Sequence, residues 1–460
     1  MHPMHQFDPV MANKILEYVT NRLEMVETPL DGILDTSELT KLLSGLINPD
    51  GIGYEKALSL YDEKLSQMVI SADSPRYFAF IPAAPTKASL LFDAVISAAS
   101  LQGISWLEAA GAIAAENQVL SLLASRAGLP TKAAGTFVSG GTSANLAALT
   151  VARDIKRNER GLGRRSRVSV MVSDQAHSSI ANALNILDID SVVVPTTNYR
   201  LIKANLEEAY KSHSHPDEII AVVGTGGTTN AGYIDNLSEI GEFCKANSLW
   251  FHLDAAYGGA LLLSERERSL LDGISGVDSF IVDPHKWLFA PFDCAAVIYR
   301  NPTLAKLVHT QKAGYLDVLQ DQDEFNPSDY ANHLTRRARG LALWFSLVTY
   351  GINNYEIAIN ASIDLANQVR DEIRLRNDLI ILNDSKLPII LFEKIGWTAA
   401  DYQNWADELL RNQIAFVAPT SWEGKRVGRL VFLHPSTTLE MALAALPNKK
   451  QTPASIEAGF

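Results

Sequence analysis

A lysine that follows an aspartate and a histidine is the feature of this sequence best suited to covalent chemistry. Lys286 stands in the run Asp283-Pro284-His285-Lys286-Trp287, between the apolar residues 279–282 and 287–289. A lysine amine is a strong nucleophile toward a carbonyl carbon when apolar surroundings disfavour its charged form. The alternative is a surface lysine whose aliphatic stem covers the end of a strand. The apolar residues after Lys286 weigh against that alternative.

Two further apolar runs also end in polar, reactive residues. Residues 168–172 precede a segment that contains His177, and residues 249–253 precede Asp254. Ligands of parallel sheets gather at the carboxyl ends of the strands, so we expect both side chains to share one site with Lys286. Taken alone, Asp254 is also typical of a helix cap and His177 of a structural histidine.

A glycine-rich turn supplies a candidate site for an anion. Residues 139–145 read Ser-Gly-Gly-Thr-Ser-Ala-Asn and precede an alanine-rich helical stretch. Glycines allow close backbone approach, and the free amides at a helix N-terminus attract a group such as phosphate. An ordinary helix cap, in which Thr142 or Ser143 satisfies the first amides, would explain the same residues. The glycine spacing matches neither a dinucleotide-binding motif nor a P-loop.

Composition and charge narrow the class of protein. The chain has 460 residues, 47% of them apolar, which is enough for a large core and more than one domain. The net charge of −12, spread without an acidic block, argues against a nucleic-acid-binding surface. Cys244 and Cys294 are too few for a disulfide framework or a thiolate metal site. Residues 1–10 lack an apolar signal region and no stretch approaches a membrane span, so we expect a soluble, cytoplasmic protein.

The elements that must position these residues follow from the hydrophobic pattern. Asp8-Pro9 predicts the start of an amphipathic helix that runs to about Met25, within an N-terminal helical segment of residues 1–86. Residues 87–350 alternate helical patterns with short apolar runs, which predicts a mainly parallel, helix-covered sheet. Residues 351–460 predict a smaller α+β domain. The runs that we assign to strands are 168–172, 219–223, 249–253, 279–282, 387–392 and 429–433.

Three segments together resemble the group II pyridoxal-phosphate-dependent amino-acid decarboxylases, a family that includes aromatic-L-amino-acid, histidine and glutamate decarboxylases. The segments are Asp174-Gln175-Ala176-His177-Ser178-Ser179, His252-Leu253-Asp254-Ala255-Ala256-Tyr257 and Pro284-His285-Lys286-Trp287. The likeness extends from Pro75 to Arg429 in the expected order. It implies the α/β type I fold of pyridoxal 5′-phosphate (PLP)-dependent transferases, which is aspartate aminotransferase-like. It also implies a homodimer with active sites at the interface, and decarboxylation of an L-amino acid to an amine.

The resemblance assigns the residues around the cofactor ring. Lys286 would bind PLP covalently, and Asp254 would pair with the protonated pyridine nitrogen so that the ring can accept electrons. His177 would stack on one ring face, and Ala256 would supply a small surface on the other.

The resemblance also assigns the edge of the cofactor and its phosphate. Thr229, in Gly226-Gly227-Thr228-Thr229, matches the family position near the phenolic oxygen, although a threonine in a turn is the alternative. Thr142 and Ser143 in the glycine-rich turn, together with His285, would lie on the phosphate side.

Tyr315, in Ala313-Gly314-Tyr315-Leu316, aligns with a tyrosine on the family's mobile loop. That tyrosine donates a proton to the substrate carbon after carbon dioxide leaves, and its loop is expected to close over the other subunit's site. Related plant aldehyde synthases carry phenylalanine here, so a tyrosine favours simple decarboxylation. An amphipathic loop anchor is the alternative role.

The substrate side chain is indicated by three residues. Phe80, Ile81 and Trp106 fall where the family builds its side-chain pocket, partly across the dimer interface, and they favour an aromatic or other apolar amino acid. They could equally form interface core. Ile81-Pro82-Ala83-Ala84 lacks the threonine that animal aromatic decarboxylases have near the substrate. No arginine stands out as a partner for a side-chain carboxylate, which weighs against glutamate.

Asp283 departs from the animal aromatic decarboxylases, which have asparagine at this position facing the cofactor phosphate. A carboxylate there would repel phosphate. We expect Asp283 either to turn toward backbone amides or to be compensated by a cation, with Arg337 and Arg339 as candidates.

Two other functions remain open from the sequence. One is an aldehyde synthase or a carbon–carbon lyase that uses the same cofactor, as sphingosine-phosphate lyase does. Tyr315 and the histidine-centred segment 174–179 weigh against it. The other is a scaffold that keeps the fold without turnover, and the intact set of Lys286, Asp254, His177 and Tyr315 weighs against that.

Overall fold

The N-terminal segment is helical, as predicted. The computed structural model describes residues 2–26, 28–30, 35–82, 84–314 and 325–448. The segment contains α1 (Pro9–Glu24), α2 (Thr36–Leu43) and α3 (Tyr54–Leu60). The Asp8 side chain accepts the amides of Val10 and Met11, and Pro9 is the first helical residue, which confirms the predicted start of α1. None of the residues in these three helices is buried within the single chain.

The rest of the chain alternates helices and strands before a final α+β region. Further helices are α4 (Lys87–Ala98), α5 (Trp106–Arg126), α6 (Gly141–Glu159), α7 (Ser178–Ile186), α8 (Lys203–Ser212), α9 (Leu237–Ala246), α10 (Pro302–His309), α11 (Leu341–Tyr350), α12 (Ile352–Arg374), α13 (Ala399–Arg411) and α14 (Leu439–Ala444). The strands are β1 (Ala134–Val138), β2 (Ser169–Ser173), β3 (Asp190–Val194), β4 (Ile219–Thr225), β5 (Trp250–Asp254), β6 (Ser279–Val282), β7 (Ala295–Tyr299), β8 (Leu379–Ile381), β9 (Ile389–Lys394), β10 (Thr420–Trp422) and β11 (Lys425–Val431).

The large sheet has the order β1-β7-β6-β5-β4-β2-β3. Strands β2 to β6 pair in parallel, and β7 runs antiparallel to both of its neighbours. Successive side chains of a strand point to opposite faces. Accordingly, Trp250 joins one apolar cluster while Phe251 and Leu253 join another. The predicted mainly parallel, helix-covered sheet is therefore confirmed.

The predicted strand runs correspond to strands, with errors at their ends. The run 279–282 coincides with β6, and the other three runs of the parallel sheet differ by a residue or two at their ends. The runs 387–392 and 429–433 are displaced from β9 and β11. The cause is that Leu387, Phe432 and Leu433 are fully buried without belonging to a strand, and apolar character reports burial rather than backbone pairing.

A second, antiparallel sheet has the order β10-β11-β9-β8. It packs on helices through a cluster that includes Phe392, Trp405 and Leu430. Gly351 separates α11 from α12 in a left-handed conformation (φ 77°), close to the predicted end of the large domain. The domain limits 1–86, 87–350 and 351–460 stay a prediction. None of the described helices is long and apolar enough to cross a membrane.

Candidate active site

The carboxyl ends of β2, β5 and β6 meet at one cavity of about 320 Å³. Asp254 is the last residue of β5, and His177 and Lys286 lie in the segments that follow β2 and β6. The sequence predicts this convergence. Among the residues that line the cavity are Thr142, His177, Thr229, Asp254, Ala256, His285 and Lys286. The structure thus brings together the residues expected around one cofactor.

Ser143 does not line this cavity. Its hydroxyl lies 3.2 Å from that of Ser139. Its role in binding the cofactor stays a prediction.

A second cavity, of about 540 Å³, adjoins the first and shares His177, Thr229 and Lys286 with it. Phe80 and Ile81 line this second cavity, as expected of residues near a substrate side chain. The other lining residues are Gln175, Ala176, Ser178, Asn230, Ala418, Pro419, Thr420 and Arg429.

Trp106 lies elsewhere in the single chain. It packs against a buried cluster that includes Ile96 and Ile113, and its backbone amide donates to Asn326 Oδ1 at 2.9 Å. A contact with the substrate across a dimer interface stays a prediction for this residue.

Lys286 is held on a rigid turn after β6. The three apolar residues that follow it are buried, and Trp287 stacks on Tyr257 with 5.3 Å between ring centroids. The Lys286 Nζ lies 2.9 Å from Asp283 Oδ2. Because the amine lines the cavity and faces a buried carboxylate, it is not the surface lysine of the alternative interpretation.

Asp283 is compensated by a different cation from those expected. Arg337 pairs with Asp93, and Arg339 pairs with Asp293, so the prediction that either compensates Asp283 is wrong. The adjacent Lys286 provides the positive charge instead. Asp283 Oδ1 has no hydrogen-bond partner among the described residues.

His285 is the other group close to the Asp283 carboxylate, with its Nε2 3.7 Å from Oδ2. Burial lowers the pKa of His285, which favours the neutral ring. Its Nδ1 accepts the amide of Cys294 at 3.1 Å, and this bond fixes the orientation of the ring.

Asp254, at the end of β5, is a buried carboxylate with two protein donors. Its Oδ1 accepts the amide of Ala256 at 3.1 Å, and its Oδ2 accepts from Asn145 Nδ2 at 3.0 Å. Charge-assisted bonds of this kind fix the direction of a carboxylate. Asp254 is therefore suited to pair with a protonated ring nitrogen.

His177 both caps α7 and lines the cavity. Its Nδ1 accepts the amide of Ser179 at 3.2 Å and lies 2.8 Å from the Ser179 hydroxyl. His177 can therefore be a helix cap and a residue of the cavity at the same time, because the cap uses Nδ1 and leaves Nε2 available to the cavity.

The glycine-rich turn leaves the N-terminus of α6 without a side-chain cap. The alternative, in which Thr142 or Ser143 satisfies the first amides, is therefore wrong. A Cβ on Gly141 would lie only 2.8 Å from Asp283 Oδ2, so glycine is required by the close approach. Uncapped amides at a helix N-terminus form a site for an anion.

The residues of the cavity fit PLP. Lys286 offers an amine for its aldehyde, Asp254 a buried carboxylate for its pyridine nitrogen, and the N-terminus of α6 free amides for its phosphate. Ala256 offers a small surface. The unpartnered oxygen of Asp283 is the feature that fits a phosphate least well.

Two residues of the site were missed by reasoning from the sequence. Asn145 is 1% exposed and connects Asp254 to the interior. Arg429 is buried, yet lines the second cavity, and burial lowers its pKa to about 10, which leaves it charged at neutral pH. Both stand at the ends of segments that the sequence singled out, but no local pattern marks them as functional.

Arg429 is held by three backbone carbonyl groups. Its Nε donates to the Asn230 carbonyl at 3.1 Å, and its Nη2 donates to those of Phe80 and Thr229 at 3.0 and 2.7 Å. It thereby links the small sheet to two segments of the cavity. Tyr315, the expected proton donor, lies outside the described residues.

Comparison with known proteins agrees with this site. Residues 52–395 match the family model for the pyridoxal-dependent decarboxylase conserved domain. The chain is 29% identical over 429 residues to an aromatic-L-amino-acid decarboxylase of Bacillus atrophaeus, covering 90% of this chain and 88% of that protein. It is 30% identical over 408 residues to the aromatic-L-amino-acid decarboxylase of Cavia porcellus, covering 84% of this chain and 85% of that protein.

Solved structures show the same fold at lower identity. Oryza sativa TDC with PLP and tryptamine superposes with a TM-score of 0.88 at 23% identity, over 96% of this chain and 97% of that chain. Rhodiola rosea 4-hydroxyphenylacetaldehyde synthase superposes with a TM-score of 0.85 at 23% identity, over 94% of both chains. These likenesses confirm the predicted type I fold. Because the family model matches most of the chain, this protein belongs to the pyridoxal-dependent decarboxylase family.

Proposed function

We propose that this enzyme removes the α-carboxylate of an L-amino acid with an aromatic or other apolar side chain, giving the amine and carbon dioxide. Because the chain belongs to this family, it is a PLP-dependent carboxy-lyase. What we propose is its substrate. The observation that carries it is the second cavity beside Lys286, whose lining includes Phe80, Ile81, Ala418 and Pro419. Apolar walls of this kind favour an apolar ligand group.

The backbone at Phe80 supports a role in this cavity. Phe80 has φ 48°, in the left-handed region, which is unfavourable for a bulky residue. Such strain persists where surrounding contacts enforce it, and it is concentrated at ligand-binding sites. Here Arg429 holds the Phe80 carbonyl, and Phe80 as a residue is 60% exposed in the single chain.

Arg429 supports a substrate with a single carboxylate. It is the one arginine among the described residues that line either cavity next to Lys286. Its Nη1 makes no hydrogen bond within the described part of the chain, and we propose that this nitrogen binds the substrate α-carboxylate. A second carboxylate, on the side chain of glutamate or aspartate, would then lack a cation, and its desolvation would be uncompensated.

The roles of the other residues follow from their contacts. PLP, when bound, supplies a ring that accepts the electrons released from the Cα–carboxylate bond. Lys286 would hold the cofactor and would release it to the incoming substrate amine, while Asp254 would keep the proton on the ring nitrogen. Tyr315 returns a proton to the substrate carbon.

We further propose that the enzyme acts as a homodimer. None of the residues in the three N-terminal helices is buried within the chain, and four apolar residues elsewhere each expose more than half of their surface: Leu91, Val95, Leu107 and Val348. Exposed apolar side chains in such number are typical of a surface that a second subunit covers. A cytoplasmic location stays a prediction.

An aldehyde synthase is the second candidate. The fold shared with the Rhodiola rosea enzyme favours it, because the same cavity could hold the same cofactor. The tyrosine at position 315 favours decarboxylation.

The test is a substrate screen with the purified holoenzyme. The proteinogenic L-amino acids and 2,4-diaminobutyrate are assayed for carbon dioxide, amine, aldehyde and peroxide. We expect the highest kcat/KM with an aromatic or large aliphatic amino acid, and amine in equal amount to carbon dioxide. Lys286→Ala is expected to lose both this activity and the visible absorbance of bound PLP. A preference for an acidic amino acid, or full activity in Lys286→Ala, would refute the proposal.

A further inference from the structure

A continuous chain of buried hydrogen bonds leads from the interior of the large sheet to the cavity. Asn145 on α6 stands at its branch point and makes three bonds. Its Oδ1 lies 2.9 Å from His252 Nε2, and its Nδ2 lies 3.0 Å from Asp254 Oδ2 and 3.1 Å from the Ser179 hydroxyl. His252 Nδ1 in turn lies 2.8 Å from the Ser279 hydroxyl. Asn145 and His252 are shielded from solvent.

Asp254, at one end of this chain of hydrogen bonds, determines which atom donates in each bond. An ionised carboxylate can only accept, so the Asn145 atom that faces it must be the amide nitrogen. The Asn145 oxygen therefore faces His252, and His252 must carry its proton on Nε2. Burial lowers the pKa of His252 to about 4, which agrees with a neutral ring that has one N–H.

The Trp250 indole, at the other end of the chain of hydrogen bonds, agrees with the assignment of the proton to His252 Nε2. The indole N–H of Trp250 can only donate, and it donates to the Ser279 hydroxyl at 2.9 Å. The Ser279 hydroxyl proton is then available for His252 Nδ1, the nitrogen that the first assignment left without a proton. One group that can only accept, Asp254, and one group that can only donate, the Trp250 indole, are thus both satisfied by the same set of bond directions.

The second branch extends this order to His177. The remaining N–H of the Asn145 amide donates to the Ser179 hydroxyl, which leaves the hydroxyl proton free to be donated to His177 Nδ1, 2.8 Å away. The Ser179 backbone amide points to the same nitrogen. In the neutral ring the proton must then reside on Nε2.

We propose that Asn145 is a positioning residue that couples the two working side chains of the site. It orients the Asp254 carboxylate directly, and through the Ser179 hydroxyl it adds a second donor to His177 Nδ1, beside the Ser179 backbone amide, which further favours the Nε2–H tautomer. His177 then presents a hydrogen-bond donor, rather than an acceptor, to the cofactor and substrate. The catalytic consequence rests on the proposed function, whereas the tautomer is a property of the protein without substrate.

The branching allows the two effects to be separated by substitution. Ser179→Ala removes the bond to His177 but keeps the Asn145–Asp254 contact and the amide cap on His177. Asn145→Ala removes both branches. Asn383→Ala is a matched control, because Asn383 is also buried and makes three bonds, to the carbonyls of Ala231 and Ile389 and to the amide of Leu391.

The first readout is the tautomer of His177 in the substrate-free holoenzyme. Nitrogen NMR of protein labelled with ¹⁵N-histidine, with the His177 signals assigned from His177→Gln, distinguishes Nδ1–H from Nε2–H. We expect Nε2–H in the wild type and in Asn383→Ala, and a detectable share of Nδ1–H beside Nε2–H in Ser179→Ala, because Nδ1 then keeps one donor, the amide of residue 179, instead of two. A wild-type His177 protonated on Nδ1 alone would overturn the proposal, whether or not the enzyme decarboxylates an apolar amino acid.

The second readout is the cofactor, by its absorbance and its dissociation constant. We expect Asn145→Ala to shift the visible absorbance and to weaken PLP binding by about tenfold or more, because Asp254 loses a charge-assisted bond. Ser179→Ala and Asn383→Ala should keep the wild-type band. If Asn145→Ala keeps the wild-type band and affinity, Asn145 does not position Asp254 and the proposal fails.

Discussion

Lys286 Nζ lies 2.9 Å from the Oδ2 atom of Asp283, a residue that is only 2% exposed. The amine that we propose to hold PLP therefore stands against a buried carboxylate, close to the free amides of α6. The Asp283 carboxylate also lies beside Gly141, the first residue of that helix, where an added Cβ would come within 2.8 Å of Oδ2. One helix N-terminus thus faces a protein anion as well as the expected phosphate.

Replacing Asp283 by asparagine should strengthen phosphate binding. Asp283→Asn keeps the shape of the side chain but removes a negative charge from a site that must accept another anion. We expect pyridoxamine 5′-phosphate, which cannot react with Lys286, to bind the cofactor-free variant with a Kd lower by about threefold or more. Calorimetry measures this Kd. Asp293→Asn, which changes an exposed carboxylate paired with Arg339, is the control, and weaker binding to Asp283→Asn than to the wild type would contradict the idea.

Arg429→Lys should weaken binding of the substrate α-carboxylate and leave binding of the rest of the substrate nearly unchanged. Lysine keeps the charge but has three N–H donors instead of five, and the three backbone carbonyls that Arg429 now serves would use them. We expect KM for the amino acid to rise about tenfold, since one charge-assisted bond is lost. The inhibition constant of the product amine, which has no carboxylate, should stay within about twofold. If the variant loses affinity equally for the amino acid and for the product amine, Arg429 has only a structural role.

Tyr315→Phe should change the products rather than the cofactor. Without the phenolic proton the substrate carbon is protonated slowly, and the oxidative route to an aldehyde can compete. We expect the ratio of aldehyde to amine to rise while the absorbance of bound PLP is unchanged, as measured by chromatography of the products and by spectroscopy. If the ratio equals that of the wild type, Tyr315 is not the proton donor.

Asp235 should give the stability an unusual dependence on pH. It accepts the amides of Leu201 and Thr225, both at 2.7 Å, near the turn that carries Thr229, and burial raises its pKa to about 7. Between about pH 4 and pH 7 the folded protein keeps a proton that the unfolded chain has released. The contribution of Asp235 to stability therefore decreases as pH rises through this window.

In Asp235→Asn the side chain cannot ionise, so the variant lacks this pH-dependent contribution to stability. The Tm of the wild type minus that of the variant should be larger at pH 5 than at pH 8, as measured by calorimetry of the holoenzyme. Asp371→Asn, at an exposed residue, is expected to show a difference that does not vary with pH. A difference for Asp235→Asn that grows toward pH 8 would mean that its two amide donors outweigh burial.

Part of the site could be read from local sequence. His177, Asp254 and Lys286 each follow an apolar run of strand length, and parallel strands end at one edge of a sheet, so a pattern within a few residues was enough to predict their convergence. The glycine-rich turn was recognised for the same reason, although only the structure distinguished free helix amides from capped ones.

The remaining part depends on contacts between distant residues. Asn145 meets Asp254 across 109 positions, and Arg429 meets Phe80 across 349. Arg337 and Arg339 were expected near Asp283 because of their charge, yet they pair with Asp93 and Asp293. A sequence shows which charges exist but not which of them become neighbours.

The amino-acid sequence by itself determined the family, the parallel sheet and the lysine, aspartate and histidine of the site, because each is encoded by a short motif or by hydrophobic periodicity. Only the tertiary structure decided that Lys286 balances Asp283, that Arg429 lines the second cavity and that Asn145 joins Asp254 to His177. The physical reason is that hydrogen bonds and ion pairs act over about 3 Å. Their partners are known only once the sheets and helices have been packed together.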